Sequence, residues 1–240
     1  MKKTLLIVGI FAIAMGMLES AVVIYLRAMS YPDGFCFPIQ KLDMNLSLVE
    51  LSREAATIIM LIGIGRLVGK NFNSRFAIFI FSFAVWDIFY YIFLKIFLNW
   101  PESVFTWDIL FLIPFVWVGP VWAPLLLSAS MIYFSVILLE INQLGSIPLG
   151  RMNWLLMILG SAVCIFSFGY DYFQFAIETI PNFKIRDVFN IDLFFDLNYV
   201  PITFPFLLFF IGYGLIITGV VRYLNYSIFT KKQTNYAQLF

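Results

Sequence analysis

The chain has 240 residues, 62% of them hydrophobic and 12% charged, with a net charge of +1. A soluble domain carries about 25% charged residues, so the apolar surplus calls for lipid around much of the surface. The near-zero net charge gives no electrostatic case for a nucleic-acid partner, and none is expected. Histidine is absent, which removes the commonest general base and the commonest zinc and haem ligand; neither haem nor zinc is expected.

The N-terminal run MKKTLLIVGIFAIAMGMLES continues through AVVIYLRAM. It is longer than the roughly 7–15 apolar residues of a signal peptide and is followed by no small-residue cleavage site. It reads as a retained first span, Thr4–Met29. A short turn-rich loop over 30–45 leads to a second span, Leu46–Val68, whose segment ELSREAAT places Glu50, Arg53, Glu54 and Thr57 on one helical face. The third span, Arg75–Leu98, holds FAVWDIFYYIFLK, with Asp87, Tyr90, Tyr91 and Lys95 at helical spacing. The next apolar run, 108–140, is too long for one straight crossing and is interrupted by Pro114, Gly119, Pro120 and Pro124. Counting back from Glu140, about 20 residues make one full span. The remaining 109–119 covers only about 16 Å as helix and reads as a half-helix or re-entrant hairpin, with Asp108 as its N-cap. Met152–Tyr170 and Ile202–Leu224 complete the spans. Between them, the loop 173–200 contains KIRDVFNIDLFFDL. Its Val188, Ile191, Phe194 and Phe195 fit an interfacial helix, and an irregular cap over the bundle fits nearly as well. Cys36 and Cys164 form no metal-ligand pattern and read as unpaired.

The expected fold class is therefore all-α: a single integral membrane domain, 1–240, with six transmembrane spans and the 109–119 element. Charge orients it. Lys2, Lys3, Arg66, Lys70, Arg75, Arg151, Arg222, Lys231 and Lys232 fall on one side with a single acid, Glu140. Basic residues favour the cytoplasm, so both termini are expected there, in a bacterial inner membrane. A seventh crossing at 109–119 would break this parity.

Helical rise places the intramembrane charges in depth. Asp87 lies about 12 Å and Glu19 about 8 Å from the outer face, while Glu50, Arg53 and Glu54 lie about 6, 10 and 12 Å deep. Three helices thus bring charge to one slab of the outer leaflet. Each such residue costs about 2.5–3.5 kcal/mol at a helix centre, so the groups are expected to converge rather than face lipid. The candidate site is Glu19, Glu50, Arg53, Glu54, Asp87 and Tyr91, with Tyr90 and Asp108 nearby.

Several functions remain open at this point. A satisfied network in which Arg53 pairs with Glu19 or Asp87 would be purely structural. A desolvated carboxylate could serve as general acid or base, or the carboxylates could hold a hard divalent cation, with a lipid-type substrate arriving from the outer leaflet. A small transporter or channel, or a membrane subunit contacting other subunits and lipids, would use the same residues. No GxSxG elbow, HExxH, phosphate loop or DDxxD pattern occurs, and no reaction is assigned.

Overall fold

The computed structural model describes residues 1–31, 34–40, 44–143, 147–189, 194 and 196–237. Six long helices dominate: α1 (Lys2–Ser30), α2 (Met44–Val68), α3 (Phe72–Leu98), α4 (Trp122–Gln143), α5 (Arg151–Thr179) and α6 (Phe206–Ala237). Five of them, all except α2, are long and apolar enough to cross a membrane. The 25-residue α2 carries Glu50, Arg53, Glu54 and Arg66 within its length.

The helices form two groups. α3 is central and packs against α1, α2 and α4, while α5 and α6 pack on each other. The groups meet at both ends of the bundle. At the end bearing the chain termini, Val8, Ile78, Leu138, Met157 and Tyr223 share one apolar cluster. Polar caps tie this end down. Asn71 and Ser74 form a reciprocal capping box at the start of α3, and the Asn73 amide and Tyr223 hydroxyl both donate to the Ile147 carbonyl, at 2.8 and 3.0 Å.

At the opposite end the structure corrects one expectation. Residues 109–119 are not a half-helix. Two antiparallel strands, β1 (Trp107–Phe111) and β2 (Trp117–Pro120), form a hairpin with Asp108 opposite Gly119 and an irregularity between Ile109 and Phe111. The segment is rich in β-branched and aromatic side chains, which favour strands, while Pro114 and Pro120 remove the amides a helix needs. A lone hairpin is marginal in water, but this one is buried: Val116 and Val118 are core residues beside Tyr172 and Tyr199, and β2 packs on α4 and α5.

Helix α5 continues to Thr179, a 3₁₀ turn spans Ile185–Phe189 with both of those residues exposed, and Phe194 is buried against Tyr172 and Tyr199. Ile191 and Phe195 lie outside the described residues. Asp171 anchors the return of the chain. Its two carboxylate oxygens accept from the Tyr199 hydroxyl (2.7 Å), the Ile202 and Thr203 amides (3.0 and 3.1 Å) and the Thr203 hydroxyl (2.9 Å). Burial, and the acceptor Asp171 itself, push the Tyr199 phenol well above its ordinary range, so it stays a donor. Both cysteines are free, Cys36 exposed and Cys164 buried.

Small residues set the α5–α6 contact. A Cβ on Gly160 would meet the Gly212 carbonyl oxygen at 2.6 Å, and one on Gly212 would meet the Cys164 amide at 2.8 Å. In lipid, where apolar burial does not drive helix association, such close backbone approach is what packing relies on. Gly214, on the same helix, has open space around it. Gly160→Leu or Gly212→Leu should therefore lower stability in detergent by about 1–3 kcal/mol, read as a fall in thermal midpoint, while Gly214→Leu should leave it unchanged.

Candidate functional site

At the hairpin end, α1, α2 and α3 enclose a cavity of about 140 Å³. Each wall follows from helical spacing. α1 contributes Glu19, Val23, Leu26 and Arg27, α2 contributes Glu50, Arg53 and Glu54, and α3 contributes Trp86, Asp87, Tyr90 and Tyr91. The fourth wall is β1, from Asp108 to Leu112, and the α1–α2 loop closes over the top with Tyr31, Phe35 and Ile39. All six candidate residues, with Tyr90 and Asp108, line this one cavity. α1 is brought close to α3 by Ser20, whose hydroxyl lies 2.7 Å from the Gly16 carbonyl and 3.1 Å from that of Tyr90.

The charges divide into two ion-paired groups and two carboxylates that stand apart. Arg53 pairs with Glu19 and, through Nε and Nη2, with Glu50 Oε2 at 2.9 and 2.7 Å. Thr57 donates to the other Glu19 oxygen at 3.3 Å. Arg27 pairs with Asp108 at 3.2 Å, and Tyr91 donates to the second Asp108 oxygen at 3.2 Å. The Arg27 guanidinium also sits over the Trp100 ring at 3.7 Å and the Phe35 ring at 4.2 Å, contacts that stabilise a cation withdrawn from water. Asp108 is thus a buried ion-pair partner on a strand, not the N-cap expected from sequence.

Glu54 and Asp87 have only neutral partners. The Leu112 amide donates to both Glu54 oxygens, at 3.1 and 2.9 Å, and the Ser128 hydroxyl of α4 donates to Asp87 Oδ2 at 2.7 Å. Neither carboxylate has an ion pair among the described residues. A buried carboxylate without a counter-charge is costly, so these two are the groups an incoming hydrogen-bond donor or cation would satisfy. Among the described residues no three carboxylate, thiol or imidazole groups converge to hold a metal ion. Lys95, on the same face as Asp87 by spacing, turns to the Asn99 and Pro101 carbonyls at 3.3 and 3.0 Å and caps α3 instead.

Sequence reasoning missed three contributions. Ser128 and the Leu112 amide carry no local signal, because which helix or strand faces a carboxylate is a tertiary fact. Arg27 follows Glu19 by eight residues on the same helical face, but its contacts with Trp100 and Phe35 join segments far apart in the chain. No protein-family model, curated protein or solved structure matches the chain.

Removing Arg53 strands two carboxylates. Arg53→Met should cost about 3–5 kcal/mol, measured by thermal or denaturant unfolding in detergent. Adding Glu19→Gln and Glu50→Gln to Arg53→Met should recover most of that loss.

Proposed function

We propose that this protein is a six-span protein of a bacterial inner membrane that binds the polar head of a lipid-type molecule in an outward-facing pocket. In this reading α2 is the sixth crossing, its charges tolerated because they face the cavity. The hairpin is a re-entrant element in the outer leaflet, where β structure at membrane depth is tolerated if protein covers it. The surplus of lysine and arginine at the termini end supports cytoplasmic termini.

One observation carries the proposal: Glu54 and Asp87 border a cavity walled by Trp86, Tyr90 and Phe111, and neither has an ion-pair partner among the described residues. Two further features support it. α1 and α2 both lie on α3 but pack little on each other, and the Glu19–Arg53 pair bridges the seam between them. This seam would admit a ligand from the bilayer. Below the cavity, Ala12, Met15, Leu61, Val85 and Trp86 form an apolar floor, and the Val8–Tyr223 cluster follows. A continuous polar path has no place there, which argues against a channel or carrier. Any chemical step on the ligand would fall to Glu54 or Asp87, the acid–base candidates left outside the ion pairs.

A purely structural membrane subunit, whose charges only lock the helices, is favoured by one specific fact: Arg53 is fully engaged by Glu19 and Glu50. Neutral variants separate the readings. Glu54→Gln and Asp87→Asn should each lower the unfolding free energy by no more than about 1 kcal/mol while weakening, severalfold, the retention of lipid by the purified protein in native mass spectrometry. Strong destabilisation by both variants, together with a parent protein that retains no lipid, would establish the structural lock instead.

A further inference from the structure

The cavity offers unmet hydrogen-bonding capacity of both kinds. Arg27 is 8% exposed and lines the cavity, yet its Nη1 has no hydrogen-bond partner. Trp86, 5% exposed and also on the wall, has an unpartnered indole Nε1–H. Buried donors are almost always satisfied, and leaving one unmet costs about 1–3 kcal/mol. These two therefore point to an acceptor supplied from outside the chain. Arg27 is the stronger of them: a guanidinium presents a fork of N–H groups suited to phosphate or carboxylate oxygens, and Asp108 occupies only Nη2.

The opposite need lies close by. Tyr91 and Arg27 share Asp108, and Asp87 sits one helical turn, about 6 Å along α3, from Tyr91. Asp87 and Glu54 are acceptors whose protein partners are one hydroxyl and one amide. Carboxylates have about four lone-pair directions each, so both retain capacity for N–H donors. The aromatic wall of Trp86, Tyr90 and Tyr91 suits a cation between these ends.

We propose that the pocket selects a zwitterionic head, with an anionic oxygen group received by Arg27 and Trp86 and a primary ammonium received by Asp87 and Glu54. This rests on the lipid-binding reading above and narrows it to an amino-phosphate head rather than an anionic or neutral one. The formal charges agree. Arg27 and Arg53 face five carboxylates on the wall, Glu19, Glu50, Glu54, Asp87 and Asp108, an imbalance that disfavours a purely anionic ligand.

The test compares two lipids with the same acyl chains. The full-length protein, delipidated in detergent, is titrated with phosphatidylethanolamine and with phosphatidylglycerol, and binding is read by native mass spectrometry and by quenching of tryptophan fluorescence. Phosphatidylethanolamine should bind at least about tenfold more tightly, the scale of one charge-assisted hydrogen bond. Asp87→Asn should bring the two lipids near parity, whereas Arg27→Gln, which removes the partner of the phosphate common to both, should weaken both lipids by at least about tenfold, and the milder Trp86→Phe should weaken both a few-fold while keeping the ring. Displacement of phosphatidylethanolamine by free O-phosphoethanolamine would support the same head chemistry and show that the head alone suffices. Equal binding of both lipids, or preference for phosphatidylglycerol, would overturn the zwitterion assignment and leave the lipid pocket standing. Binding of neither would overturn both. The parent comparison needs no variant, so a misfolded substitution does not blunt the test.

Discussion

Five carboxylates and two guanidiniums line one cavity at the hairpin end, and much of that end is arranged around making their burial tolerable. Burying an unpaired charge is far more costly than burying a paired one. Arg53 therefore sits between two acids, and Arg27 pairs with Asp108 and is also covered by Trp100 and Phe35. The chain also needs backbone donors at this end. A helix spends its interior amides on its own carbonyls, whereas the free edge of a strand presents amides outward. The Leu112 amide at the end of β1 meets Glu54 in this way. A half-helix starting at Ile109 would have tied the Leu112 amide to the Asp108 carbonyl and left it unable to reach Glu54.

The split between what was legible in the residues and what was not follows the range of the interactions. Helical rise and the i, i+3, i+4 pattern are local and rigid, so counting along single helices placed Glu19, Glu50, Arg53, Glu54 and Asp87 at one depth, and they line one cavity. Partner choice is not local. Arg53 chose Glu19 and Glu50 over Asp87, which turned to Ser128 on α4. The strands of the hairpin were hidden because an apolar run with prolines fits a broken helix as readily as two short strands when only composition is read. Gly160 and Gly212 were equally silent, since two glycines on separate spans become a contact only after the helices cross.

The two helix groups are joined less by helix packing than by short connecting elements. α4 and α6 touch sparsely. The hairpin bridges the groups through β2, and Asp171 gathers the chain that re-enters α6 with bonds from Tyr199, Ile202 and Thr203. The aromatic stack of Trp122 with Phe204, Phe206 and Phe209 fills the space beside it. The α5–α6 pair thus forms a buttress to the cavity without lining it.

Strand β1 has one more mechanical role. Its Asp108 holds Arg27 of α1 and the amide just past its end holds Glu54 of α2. Four residue-to-residue steps separate these points, about 13 Å of nearly inextensible backbone. The strand is a gauge: the gap between α1 and α2 on that side is set by a fixed length of chain rather than by the fit of two helices. Widening the gap means breaking an ion pair or an amide bond to a carboxylate at one end of the gauge, so the seam yields at its ends before its middle stretches.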